Sequence, residues 1–182
     1  KTDWELTLLI PYQARKWKKW QDLVSKNKLI KIVYYNRTPL SGGKSFLHKF
    51  FSMRLGMPRP HNVMIPSIFN TIGMGYKQIF LFGVEHSWLT DIHTNDDNEV
   101  MLGISHFYKN DKKPVNKSLY FEQNQRAKYH EILESKIIVF KGYHILEGYA
   151  KSKRVDIYNM TEGSHIDAFK RKKLIPSQDI DC

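Results

Sequence analysis

The sequence predicts an α/β protein with a Rossmann-like, mostly parallel sheet and helices on both faces. Three observations carry this expectation. Short apolar runs alternate with segments of helical periodicity, the pattern of βαβ units. The runs are too short for buried helices and stop at Pro, Asn or Gly. Polar residues crowd just after the runs, where open parallel sheets bind their ligands.

The elements follow in order. Leu6 to Ile10 is an apolar run closed by Pro11 and reads as a buried strand. Residues 13 to 26 read as a helix, with Trp17, Trp20, Leu23 and Val24 recurring on one face. Ile30 to Tyr35 is the second strand, and Asn36 to Gly43 is a loop with Pro and paired Gly. Helices are expected over Ser45 to Leu55 and Asn62 to Met74, and a third strand over Ile79 to Val84. Residues 89 to 120 are polar, with little periodicity, and read as a long loop of the kind that is functional or mobile. Two helices are expected next, Tyr120 to Glu134 and Ser135 or Lys136 to Ala150. Val155 to Met160 is the fourth strand, followed by a short helix or turn to Phe169.

A length of 182 residues suits one domain with a sizeable core, and 41% hydrophobic content places it among globular chains. The chain opens Lys1-Thr2-Asp3 without Met and reads as a piece of a longer protein. No apolar run approaches the length of about 18 residues that spans a bilayer, and no signal-peptide pattern opens the chain. The single cysteine, Cys182, rules out a disulfide framework and a Cys-rich zinc site, and fits a reducing, cytoplasmic compartment. Net charge is +11, from 29 basic and 18 acidic residues, which favours anionic partners. The charge is dispersed over Arg15 to Lys19, Lys109 to Lys117, Lys151 to Arg154 and Lys170 to Lys173, so most of it reads as solvated surface. Aromatics beside it, such as Trp17 and Tyr34, sit at core-facing spacing, so no nucleic-acid partner is expected.

The richest segment is Gly75 to Trp88. Its strand ends in Gly83 and then delivers Glu85, His86, Ser87 and Trp88. Glu85 suits a hydroxyl or ribose, or a structural cap. His86, and His106 within Ser105-His106-Phe107-Tyr108, are candidate general bases because imidazole titrates near neutrality; a hydrogen-bonded structural role is the alternative. Thr161 and Ser164 offer hydroxyls to a phosphate or cap the next element. Thr38 to Ser45 ends Gly-Lys-Ser between a strand and a helix, but Thr38 stands where a phosphate loop needs its first Gly, so it reads as a helix-capping turn. None of the eight histidines has the spacing of a helical zinc site, and no metal is expected.

Gly75-Tyr76-Lys77-Gln78-Ile79-Phe80-Leu81-Phe82-Gly83-Val84-Glu85 resembles a Gly-Tyr-Lys-Glu-Ile-Tyr-Leu-x-Gly-x-Asp segment shared by two related groups. One is the bacterial CMP-sialic-acid-dependent sialyltransferases, glycosyltransferase family 42. The other is the domain of unknown function 115 family, which includes motility accessory factors and an archaeal pterin diphosphokinase. The resemblance to the second group is closer. It extends through Met57 to Val63, His106-Phe107-Tyr108 and Tyr158 to Phe169, and so touches most of the chain from about residue 34 to 174.

The resemblance implies a glycosyltransferase-type sheet, a nucleotide-activated donor and no obligatory metal. It further implies a His base and lid tyrosines that assist the donor phosphate. The lid would be residues 89 to 120, offering His106 and Tyr108, with His86 as the other candidate catalytic residue. Asn36, Asn62, Gly83, Glu85, Ser87, Thr161 and Ser164 are the candidate nucleotide and substrate contacts. Glu85 replaces the family's usual Asp, and the family's Gly-x-Gly-Pro-Ser nucleotide loop is absent from these residues. The expected function is therefore sugar transfer, sialic-acid-like, from a CMP-type donor to a glycan or protein acceptor in bacterial surface glycosylation. The donor acts as co-substrate, without a further cofactor. The basic surface would allow peripheral association with an anionic membrane. The alternatives are ATP-dependent diphosphate transfer to a pterin alcohol, and a non-catalytic binding module.

Overall fold

The computed structural model describes residues 2–18, 21–22, 26–104, 115–118 and 126–173. These residues form a mixed α/β fold with three α-helices, two small parallel sheets and one antiparallel sheet.

β1 (Leu6–Pro11) pairs in parallel with β2 (Ile30–Tyr35), from Leu6 opposite Ile30 to Pro11 opposite Tyr35. The connection begins as a 3₁₀ turn, Tyr12–Lys16, rather than the helix expected from residue 13. Arg15 stacks 4.3 Å above the Tyr12 ring, and Trp17 is 66% exposed rather than in a core. Beyond it Lys18, Gln21 and Asp22 are helical, and the Gln21 N–H donates to the Trp17 carbonyl at 3.2 Å, so the expected helix is met in part. Trp20, Leu23 and Val24 lie outside the described residues.

α1 (Lys44–Ser52) starts after Gly43, so the Gly-Lys-Ser turn does cap a helix; it buries Leu47 and Phe51 one turn apart. α2 (Met64–Gly73) carries Pro66 in its first turn, where the missing N–H has no helical acceptor in any case. Its buried residues Ile65, Ile68, Phe69 and Ile72 follow the helical period seen in the sequence. β3 (Gln78–Leu81) is shorter than the expected Ile79 to Val84 because Gly83 turns the chain at φ +66°.

The segment expected as a loop over 89 to 120 holds three strands: β4 (Ile92–Thr94), β5 (Val100–Ile104) and β6 (Val115–Ser118), paired antiparallel in that order. The β4–β5 turn is built by Asn95, whose Oδ1 accepts the N–H groups of Asp97 and Glu99, with Asn98 in left-handed backbone. Asn-rich turn chemistry of this kind marks a hairpin, and the strands beside it are too short to show a period. α3 (Tyr129–Ser152) is one 24-residue helix running across the expected break at Ser135; residues 120–125 of the first expected helix lie outside the described residues. Ser135 does not break it, and Glu131 caps its start by accepting the Lys128 N–H.

β7 (Asp156–Asn159) runs parallel to β3, with Ile79 opposite Ile157 and Leu81 opposite Asn159; β8 (Lys170–Arg171) adds to its far edge. β3 and β7 present Ile79, Leu81 and Ile157 to a core that they share with α1, α2 and α3. Full burial of a residue such as Ile65, Ile68 or Leu146 contributes about 1.5–3 kcal/mol each. α3 approaches α2 closely at Gly142, where a methyl group would lie 2.8 Å from Ile65 Cδ1. The other face of β3 and β7 carries Phe80 stacked on Tyr158, and Phe80 is exposed, so among the described residues helices cover one face of this sheet rather than the expected two. In place of the single sheet expected, the parallel strands among the described residues form two separate small sheets, β1–β2 and β3–β7–β8. No helix among the described residues is long and apolar enough to cross a membrane.

Candidate functional site

Beyond β3 the chain turns twice through left-handed backbone, at Gly83 and at His86, the latter with φ +55°. Gly adopts this conformation freely, whereas a residue with a Cβ does so at a cost of about 1–2 kcal/mol. The loop after β7 holds the turn in place. The Val84 N–H donates to Thr161 Oγ1 at 3.1 Å, Ser164 Oγ donates to the Val84 carbonyl at 2.6 Å, and the His165 N–H donates to the Glu85 carbonyl at 2.8 Å. Asn159 Nδ2 donates to Ser164 Oγ, and the Arg171 guanidinium donates to the carbonyls of Thr161, Ser164 and Ile166. The hydroxyls of Thr161 and Ser164 thus serve the backbone that carries Glu85 and His86.

His86 lies against α3, with its Nε2 2.6 Å from the hydroxyl of the fully buried Tyr143. Asn62 joins them from the start of α2. Its Oδ1 accepts the Ile65 backbone N–H at 3.1 Å, and its Nδ2 donates to the Tyr143 oxygen at 2.7 Å. A backbone N–H only donates, so this cap fixes which way the Asn62 amide faces. Tyr143 oxygen accepts from Asn62, and a buried hydroxyl proton needs an acceptor of its own; among the described residues His86 Nε2 is the one within reach, so the proton is assigned there. The imidazole is left as the neutral tautomer with its proton on Nδ1. The hydrogen bonds run in one direction, from Ile65 through Asn62 and Tyr143 to His86, and no described residue accepts the Nδ1 proton.

The electrostatics agree. Burial holds the His86 pKa below its ordinary value, the nearby Lys136 charge lowers it further, and Glu85 opposes them. Burial raises the Tyr143 pKa, which keeps its hydroxyl protonated, against the bond from Asn62. The Lys136 ammonium sits 3.8 Å over the Trp88 ring, and burial lowers its pKa. A cation held on an aromatic face is favoured most where water is scarce.

A cavity of about 450 Å³ opens here, lined by Gly83, Glu85, His86, Ser87, Trp88 and Asp91, with Met64 of α2 and Leu102 of β5. Trp88 and Leu102 also pack on a small core of Ile92, Val100, Ala127 and Ile132, so the antiparallel sheet is anchored beside the cavity. Of the sequence candidates, Gly83, Glu85, His86 and Ser87 share this wall, and Asn62 stands directly behind it. Thr161 and Ser164 lie beneath it. Asn36 is elsewhere: it bonds to Thr38 and the Leu55 carbonyl and lines a separate cavity of about 760 Å³ with Tyr12, Tyr34 and Arg54. His106 and Tyr108 lie outside the described residues. No three His, Cys, Asp or Glu groups converge on a metal-sized site among the described residues.

Tyr143 and Lys136 were not site candidates from the sequence. Tyr143 falls on the buried stripe of α3 with Val139, Leu146 and Ala150, so its spacing is that of a core residue. Only the fold shows that its hydroxyl meets His86.

Comparison of the chain with known protein families, with curated proteins and with solved structures gave no match.

Proposed function

We propose that the chain is a glycosyltransferase-like protein that moves a sugar, sialic-acid-like, from a CMP-type donor to a glycan or protein acceptor in bacterial surface glycosylation. The observation that carries the reading is the place of His86, which lines the cavity beyond β3 with Nε2 held by the Tyr143 hydroxyl and with no described residue in hydrogen-bond contact with Nδ1. A neutral imidazole N–H donates well to a phosphate oxygen, and in a half-buried site such a donor is worth more than in water. The resemblance of Gly75 to Glu85 to the sialyltransferase and domain of unknown function 115 groups supports the same chemistry.

In this reading the acceptor hydroxyl attacks the anomeric carbon, the bond to the donor phosphate breaks, and the nucleotide leaves with the electron pair. His86 donates from Nδ1 to the departing phosphate. Its Nε2 is occupied by Tyr143, so the acceptor proton goes to another base, for which His106 is the candidate and Tyr108 the lid hydroxyl. Lys136 adds positive potential behind Trp88. The two parallel pieces, β1–β2 and β3–β7–β8, are read as parts of one Rossmann-like sheet, supported by their shared parallel pairing. The setting proposed is cytoplasmic.

A thermal-shift panel with CMP, CDP, UDP, GDP and ATP, with and without Mg²⁺, tests the assignment. Stabilisation by CMP without metal, abolished in His86→Gln, is expected. A response confined to ATP with Mg²⁺ would replace sugar transfer by diphosphate transfer. No response to any nucleotide would leave a binding module as the better account.

A further inference from the structure

We infer that the groove between α1 and α3 is a docking surface for an anionic lipid bilayer. The groove holds about 530 Å³, and its apolar lining includes Leu40, Leu47, Ile138 and Ile145. Lys44, Arg59 and Lys141 also line it, and none of the three is in an ion pair among the described residues. Glu147, the one carboxylate of the lining, pairs with Lys151, and His144 of the lining contacts Asp167.

The rim extends the apolar surface outward. Phe46 of α1, 49% exposed, stands at the Gly42 lip, where a methyl on Gly42 would meet its ring at 3.3 Å. On α3, Leu133 (40% exposed) and Ile137 (50%) precede Lys141 at four-residue spacing, so the three share one helix face. Exposed apolar side chains flanked by unpaired cations are what an interfacial surface requires, with the apolar groups at the acyl boundary and the cations at the headgroup phosphates. A soluble phosphate would leave Phe46, Leu133 and Ile137 in water. A second copy would bring two chains of net charge +11 together.

This surface goes beyond the proposed function: Lys141 in the groove and Lys136 at the Trp88 ring are five residues apart on α3, about 140° around the helix, and the groove shares no lining residue with the His86 cavity. Its test does not depend on transfer chemistry. Sedimentation with phosphatidylcholine vesicles, with and without phosphatidylglycerol, measures binding directly. The wild type is expected to bind only the vesicles that contain phosphatidylglycerol. The triple variant Lys44→Gln, Arg59→Gln, Lys141→Gln should bind about a hundredfold more weakly, on the scale of three lost cations at an anionic surface. A control with the same charge loss, Lys26→Gln, Lys28→Gln, Lys77→Gln, should keep most of the binding, and Phe46→Ser should weaken it. Circular dichroism confirms that each variant is folded. Equal loss in both triple variants would mean binding by net charge alone and would overturn the assignment. So would absence of wild-type binding, or release by inorganic phosphate but not by chloride at equal ionic strength.

Discussion

The hydroxyl of Tyr143 lies 2.6 Å from His86 Nε2, joining two residues 57 positions apart at the end of β3. The contact decides which nitrogen of His86 carries its proton. Asn62 donates to the same hydroxyl oxygen, and among the described residues His86 Nε2 is the acceptor that the buried Tyr143 proton meets, so Tyr143 is read as donating onward. His86 then meets any ligand as a hydrogen-bond donor rather than as a base.

Tyr143→Phe removes the central link and keeps the ring. It removes the short bonds to Asn62 Nδ2 and His86 Nε2 and leaves those two atoms only their own 3.5 Å contact, and a buried group so weakly paired costs up to about 1–3 kcal/mol. Urea denaturation should show that loss. In ¹⁵N NMR the His86 ring should change from one ordered tautomer to a mixture, while a Tyr143 that only filled space would leave the tautomer unchanged.

Acid should weaken the fold through His86. Its folded pKa is held below the ordinary 6.5, first by burial and then by Lys136 and His165, against Glu85. The unfolded chain therefore binds more protons in this range, so the contribution is intact above 6.5 and is lost as pH falls through the folded value. His61 acts in the same direction, through burial and the charges of Arg59 and Lys136. Thermal denaturation between about pH 7 and pH 5 should show a shallower fall in Tm for His86→Gln than for the wild type. Parallel curves would mean that His86 does not titrate differently in the two states.

Ser164→Ala should act on stability more than on ligand affinity. The hydroxyl is buried between Asn159 Nδ2 and the Val84 carbonyl, and both would lose a partner. A loss of about 1–3 kcal/mol is expected by chemical denaturation. Unchanged stability with lost nucleotide binding would instead make Ser164 a ligand contact.

The sequence carried the elements with strong periods and missed the contacts between them. α1, α2, β3 and β7 follow from apolar spacing, and Pro11, Gly43 and Gly83 mark real boundaries. β4 to β6 were missed because strands of three to five residues show no period. Clustering of Glu85, His86 and Ser87 needed only chain adjacency, and so it could be read from the sequence. The placing of Tyr143 and Lys136 beside them depends on how α3 crosses the end of β3, which local sequence does not encode. Thr161 and Ser164 illustrate the converse: hydroxyls after a strand suggest a phosphate site, but here a neighbouring loop takes them.

Gly83→Ala tests the turn itself. No atom lies within 4 Å of the position a methyl would take, so no clash is created, but φ is +66°. A destabilisation of about 1–2 kcal/mol from backbone strain alone is expected by denaturation. A neutral result would show that the turn relaxes freely.

The central claim is that His86 presents Nδ1–H to the phosphate of a bound nucleotide. ¹⁵N-edited NMR of the His86 imidazole during titration with CMP, without metal, tests it most directly. The account predicts that the Nδ1–H proton moves downfield and becomes protected from exchange as CMP binds, with Nε2 still accepting from Tyr143. Saturation with CMP that leaves the His86 ring signals unmoved, or that protonates Nε2 instead, would contradict it.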